Sequence, residues 1–86
     1  MANILLESRN VNGLGSTSKR QSFFELFKAS KANVFLIQET HSTKEVEEIW
    51  KSEWEGDIHF SHGTSNTTGV AILIKKNIPS KYLQHN

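Results

Sequence analysis

Cysteine is absent from this 86-residue sequence, and proline occurs once, at Pro79. The first absence excludes a disulfide framework and any thiolate metal site. The second argues against a Pro-rich disordered linker. Long hydrophobic runs are also missing. Nothing approaches the ~20 apolar residues of a membrane span. The opening MANILLES lacks the basic region and the apolar length of a signal peptide. A soluble intracellular chain is the expectation. Charge of one sign is missing too, because ten basic and nine acidic residues leave a net charge of +1. That balance excludes nucleic-acid binding by bulk charge, so any such contact must come from a local patch.

What charge there is shifts along the chain. Residues 42–57 carry six acids against two lysines, a net −4, and residues 58–86 carry three lysines and no acid. A chain of this length makes one small domain, which buries only ~60% of the surface its unfolded form exposes.

The apolar residues come in short blocks. Ile4, Leu5 and Leu6 start a strand that runs into RNVNGLGS, a turn marked by two asparagines and two glycines. Ser18 reads as an N-cap, and Phe23, Phe24, Leu26 and Phe27 give one apolar face to a helix from Lys19 to about Ser30. Val34–Ile37 is a continuous apolar strand without alternation, which calls for cover on both faces.

Ser42 and Glu45 match a capping box ahead of a second helix. There Val46, Ile49, Trp50 and Trp54 share a stripe, and Glu45, Glu47, Glu48 and Glu53 fall on the solvated side. Ile58 and Phe60 alternate with His59 and Ser61 in a half-wet strand. Gly63–Thr68 has loop composition, Val70–Ile74 is another apolar strand, and Pro79 stops it. The order strand, helix, strand, helix, strand, strand predicts helices packed on a sheet. Two helices suffice for one face only, so the expectation is an incomplete sandwich with apolar surface left over.

Most chemical motifs fail on inspection. GLGSTSK lacks the Gly-Lys-Ser/Thr of a phosphate loop and the third glycine of a dinucleotide site. The four histidines, at 41, 59, 62 and 85, show no helical i, i+4 pair, which argues against zinc. The match to an N-glycosylation site at Asn66 has meaning only in a secreted chain. Glu39 is the exception, a carboxylate just past the end of a buried strand. It is held on a rigid element at the rim, which suits a hard cation such as Mg²⁺.

The strand entering RNVNGLGS, the strand ending in LIQETH and the later GVAILIKK, in that order, resemble the endonuclease/exonuclease/phosphatase superfamily. Within it, the chain is most similar to the apurinic/apyrimidinic-type endonucleases encoded by LINE-type retrotransposons. The resemblance covers about Asn10 to Ile78 and implies the N-terminal part of a four-layer, deoxyribonuclease-I-like α/β sandwich. It further implies that Glu39 holds a divalent ion, Mg²⁺ or Mn²⁺, and that Asn10 positions the scissile phosphate. Asn12 would lie close to the metal. Lys19 and Arg20 would meet the DNA backbone, and His41 would touch DNA or phosphate.

Two departures accompany the likeness. Glu7 and Arg9 stand where the family carries apolar or aromatic residues. The family's later tyrosine strand, Gly-Asp-Phe-Asn segment and Asp-His pair have no match here. The resemblance therefore implies one side of a DNA-cleaving site, with little or no nuclease activity in these 86 residues alone. A phosphatase of the same fold and a non-catalytic remnant are the alternatives.

Overall fold

The structure is a computed structural model that describes residues 4–63 and 68–76. The Asn66 match, the Pro79 stop and His85 lie outside the described residues. The elements are β1 (Leu6–Asn10), α1 (Thr17–Ala29), β2 (Val34–Gln38), a 3-10 turn (Lys44–Val46), α2 (Glu47–Trp54), β3 (Asp57–Ser61) and β4 (Val70–Ile74). This is the order expected from the sequence.

Helix α1 begins earlier than its apolar spacing predicts. Ser16 is the N-cap rather than Ser18, and its hydroxyl accepts the Lys19 N–H at 3.3 Å. Thr17 and Ser18 already belong to the first turn, where polar residues carry no periodic signal. At the other end the Ser30 N–H bonds the carbonyls of Leu26 and Phe27. The Lys75 ammonium donates to the carbonyls of Lys28 and Ser30, at 3.3 and 2.6 Å, tying the helix end to the strand beside it.

The second helix also differs at its start. Its expected capping box does not form, because the Ser42 hydroxyl is engaged elsewhere and a 3-10 turn leads into the helix without a side-chain cap. Trp50 and Trp54 are buried as the stripe predicts, whereas Ile49 is exposed. The helix ends on Glu55 in the left-handed region, φ 63°. Gly56 follows because there is no room for more. A Cβ there would run into the Ile74 carbonyl and the Trp54 indole N–H, which bond each other at 3.0 Å.

The strands form one mixed sheet in the order β1-β2-β4-β3. β1 and β2 are parallel and joined through α1, as parallel neighbours require a crossover. β4 runs antiparallel to both β2 and β3 and lies between them. Partnered residues share a face, so Phe35, Ile37, Ala71, Leu73, Ile58 and Phe60 point the same way. Both helices pack on that side. Phe27 stacks on Phe35 with ring centroids 4.5 Å apart, and Trp54 meets Phe35 edge-on at 6.1 Å. Val11 and Leu14, from the glycine-rich turn, close one end of this core and are buried.

The opposite face carries Leu6, Val34, Leu36, Val70, Ile72 and Ile74. Among the described residues no element packs on it, and Leu6 is 67% exposed. One covered and one bare apolar face is compatible with an incomplete α/β sandwich, the architecture expected from the sequence. The Glu7 and Arg9 departure resolves at the sheet edge. Their side chains pair at 2.9 Å, and Ser30 donates to Glu7 at 3.1 Å. These bonds, Arg9's first, hold the Glu7 carboxyl below the usual carboxylate range.

Candidate functional site

The pairing register gathers the chemistry at one end of the sheet. Asn10 closes β1 opposite Gln38, the last residue of β2. Gln38 is also opposite Val70, the first residue of β4, and Val70 is opposite Ser61, the last of β3. Asn10, Glu39, Gly69 and His62 therefore emerge side by side. This is the edge, beyond the carboxyl ends of parallel strands, where open α/β sheets place their ligands.

Glu39 leaves β2 in a left-handed conformation, φ 56°, which turns its carboxylate toward β1. The Asn10 side-chain amide donates to its Oε2. Asn10 Oδ1 accepts the Asn12 N–H at 3.0 Å, an Asx turn that fixes the amide's orientation. Asn12 and Gly13 follow with φ of 52° and 83°, a conformation that Asn and Gly adopt at little cost. The turn is then stitched to β2's exit. Val11, Gly13 and Leu14 donate to the carbonyls of Gln38, Glu39 and Thr40 at 3.0, 2.6 and 3.2 Å.

Five of the six residues singled out in the sequence meet here. Asn10 and Glu39 bond directly. Asn12 takes part through its backbone, and its carbonyl accepts the Lys19 ammonium at 2.8 Å, which brings Lys19 beside the site. The His41 ring lies against Gly13, where an added Cβ would sit 3.2 Å from Cδ2. It is exposed, with φ 52°.

Arg20 is the correction. Its guanidinium is buried and points away from the site, into the packing of α1 on α2. It bonds both carboxylate oxygens of Glu53 at 2.5 and 3.0 Å, donates to the Leu14 carbonyl at 2.9 Å and lies over the Trp50 ring. Adjacent positions on a helix point about 100° apart, and here Lys19 turns to the Asn12 carbonyl while Arg20 turns to Glu53. Glu53 likewise belongs to this pair rather than to open solvent, and the Arg20 hydrogen bonds hold its carboxyl below the ordinary range.

The structure adds a group that the sequence reading passed over. Thr40 and Ser42, both buried, bond through their hydroxyls at 2.9 Å. The Ser42 hydroxyl reaches His62 Nδ1 at 2.8 Å, and His62 Nε2 reaches Glu47 at 2.5 Å. Ser42 and Glu47 thus leave the cap and the solvated face that the sequence pattern predicts for them. The available signal was the pair of hydroxyls at 40 and 42 directly after a strand exit. An open cavity of about 300 Å³ between this group and Glu39 is lined by Gln38, Glu39, Ser61, His62, Thr68, Gly69 and Val70.

Among the described residues no group of three or more His, Cys, Asp or Glu could hold a metal ion together. Glu39 Oε1 has no hydrogen bond to a described residue. One carboxylate at the rim fits the way Mg²⁺ is commonly held, by one or two carboxylates with water and phosphate in the other positions. No helix among the described residues is long and apolar enough to cross a membrane.

A mixed four-stranded α/β sheet with two helices on one face, and an amide, a carboxylate and a lysine at one edge, is the class that fold and site define. In sequence the chain is similar to the Transposon TX1 uncharacterized 149 kDa protein of Xenopus laevis, 28% identical over 78 residues. The matched stretch covers 91% of this chain and 6% of that protein, so the chain spans a small fraction of its relative's length. No family model matches the chain, and no solved structure matches it.

Proposed function

We propose that this chain is the N-terminal portion of a metal-dependent DNA endonuclease carried by a transposable element of the LINE retrotransposon type. The observation that carries the reading is the Asn10–Glu39 hydrogen bond across the exits of two neighbouring parallel strands. A lone strand-end acid in solvent needs no such partner. Here the carboxylate is aimed by an amide that an Asx turn has itself oriented. The likeness to a transposon protein supports the lineage.

In this reading Glu39 would hold Mg²⁺ or Mn²⁺ through its carboxylate, with Asn12 close by. The ion, when bound, polarises a phosphate oxygen and lowers the pKa of a bound water. Asn10 keeps the carboxylate in place and presents its amide to the phosphate. Lys19, fixed on the Asn12 carbonyl, brings positive charge to the DNA backbone, and His41 stands exposed on the same rim. An ion held by one carboxylate in water binds weakly, so the 86 residues alone are expected to cleave little or no DNA.

The test is a Mn²⁺ titration followed by backbone and side-chain NMR on the chain and on Glu39→Ala. Paramagnetic broadening centred on Asn10 and Glu39, and lost in the variant, is expected. Broadening that ignores Glu39→Ala would overturn the metal assignment.

A further inference from the structure

We infer that His62 is a positioning residue for Glu39, acting through Ser42 and Thr40 and anchored by Glu47. This rests on the reading of Glu39 as the ion-holding carboxylate.

The need for a positioning device is visible in the backbone. Glu39 and His41 both occupy the left-handed region, φ 56° and 52°, with Thr40 between them. Such conformations are disfavoured for side chains of this type and persist only where the surroundings impose them. Part of the constraint is main-chain. Thr40 and His41 donate to the carbonyls of Gly69 and Thr68 at 3.2 and 2.7 Å. The rest is the hydroxyl chain. Thr40 is fully buried between two strained neighbours, and its hydroxyl has its bond to Ser42. Space is as tight as the bonding, because a Cβ on Gly69 would sit 2.9 Å from Thr40 Oγ1.

The direction of the chain follows from its donors and acceptors. An ionised Glu47 can only accept, so His62 Nε2 carries the proton in that bond. Where the imidazole is neutral, Nδ1 is the acceptor and Ser42 donates to it. Ser42 in turn accepts from Thr40. Thr40, Ser42 and His62 thus donate in sequence, each hydroxyl satisfied, and the Glu47 carboxylate on a helix is the final acceptor. Replacing His62 by a residue without an acceptor at Nδ1 removes the Ser42 partner and leaves the 39–41 turn held by its main-chain bonds alone. The Glu39 carboxylate then loses its alignment with Asn10.

The experiment uses the 86-residue chain without metal. Long-range ¹⁵N correlations on the wild type at neutral pH report the His62 tautomer, and Nε2–H is expected. The Asn10 side-chain amide signals report the bond to Glu39. They are expected to move to the position of a solvated amide in His62→Ala. In His62→Asn, whose Oδ1 replaces the Nδ1 acceptor, they should remain near the wild-type position. Amide signals of Phe35 and Leu73 verify that the sheet is intact.

A merely structural His62 would leave the Asn10 signals in place in a folded His62→Ala. That result, or an Nδ1–H tautomer, overturns the proposal. Should His62→Ala not fold, Ser42→Ala, which breaks the same chain between Thr40 and His62, is expected to shift the Asn10 signals, and unmoved signals there overturn the proposal. Absence of Mn²⁺ broadening in the wild type would instead count against the metal reading and leave the Asn10 shift standing.

Discussion

Arg20 and Glu53, 33 residues apart, close a two-pronged ion pair between α1 and α2, with nitrogen–oxygen distances of 2.5 and 3.0 Å. The arginine is almost entirely buried, whereas a quarter of the glutamate side chain is exposed. The pair also receives the Leu14 carbonyl and the Trp50 ring, so the guanidinium holds the glycine-rich turn, both helices and the core together.

Acid should weaken the fold through this pair. The folded Glu53 carboxyl titrates below its unfolded value, which for a free glutamate is about 4.3. Its stabilising contribution is therefore complete above that value and is lost as pH falls through the lower folded value. Denaturation midpoints measured between neutral pH and pH 3 should fall more steeply in the wild type than in Glu53→Gln. Parallel curves would show that the pair carries no pH dependence.

Arg20→Ala should destabilise the chain by about 2–3 kcal/mol, since it strands the Leu14 carbonyl and removes packing from Trp50. The partly exposed Glu53 can resolvate, which keeps the loss below that of a fully buried pair. Lys19→Ala, by contrast, should change stability by less than ~1 kcal/mol. On the nuclease reading it weakens duplex DNA binding and lowers the salt slope by about 1. Urea melts and fluorescence anisotropy at two salt concentrations separate the two roles.

Gly56→Ala should cost about 1–3 kcal/mol by overpacking. The added methyl collides with the Trp54–Ile74 hydrogen bond that fastens α2 to β4. Tryptophan fluorescence during unfolding reads both the loss of stability and the altered environment of Trp54.

The two faces of β4 should respond oppositely. Leu73→Ala, on the covered face, is expected to lose about 2–5 kcal/mol. Ile72→Thr, on the bare face, should shift stability by under ~1 kcal/mol and reduce binding of an apolar dye to the native chain. Equal destabilisation by both would mean that the second face is covered.

Element type and order were readable because they depend on local pattern. Phe24 and Phe27 mark α1 by spacing, Trp50 and Trp54 mark α2, and the unbroken Val34–Ile37 and Val70–Ile74 runs mark strands. Asn10, Glu39, Asn12, Lys19 and His41 were singled out by motif, and the structure assembles them at one rim. Helix starts were not readable, because Ser16 and Ser18 are equivalent candidates until the first turn picks one. Arg20 was misplaced for a similar reason, since a basic residue beside Lys19 carries no mark of burial.

By itself, then, the sequence determined which stretches are helix or strand, which residues are apolar enough to form a core, and which strand ends carry polar groups. Hydrophobic periodicity and turn chemistry act over a few residues and are written locally. Only the tertiary structure decided that β4 lies between β2 and β3, so that Gly69 and His62 come to the same edge as Asn10 and Glu39. It also decided that Arg20 seeks Glu53 and that Ser42 abandons its helix for His62. Those pairings join residues 20 to 33 positions apart, and their partners are fixed by strand register and helix packing rather than by any short stretch of chain.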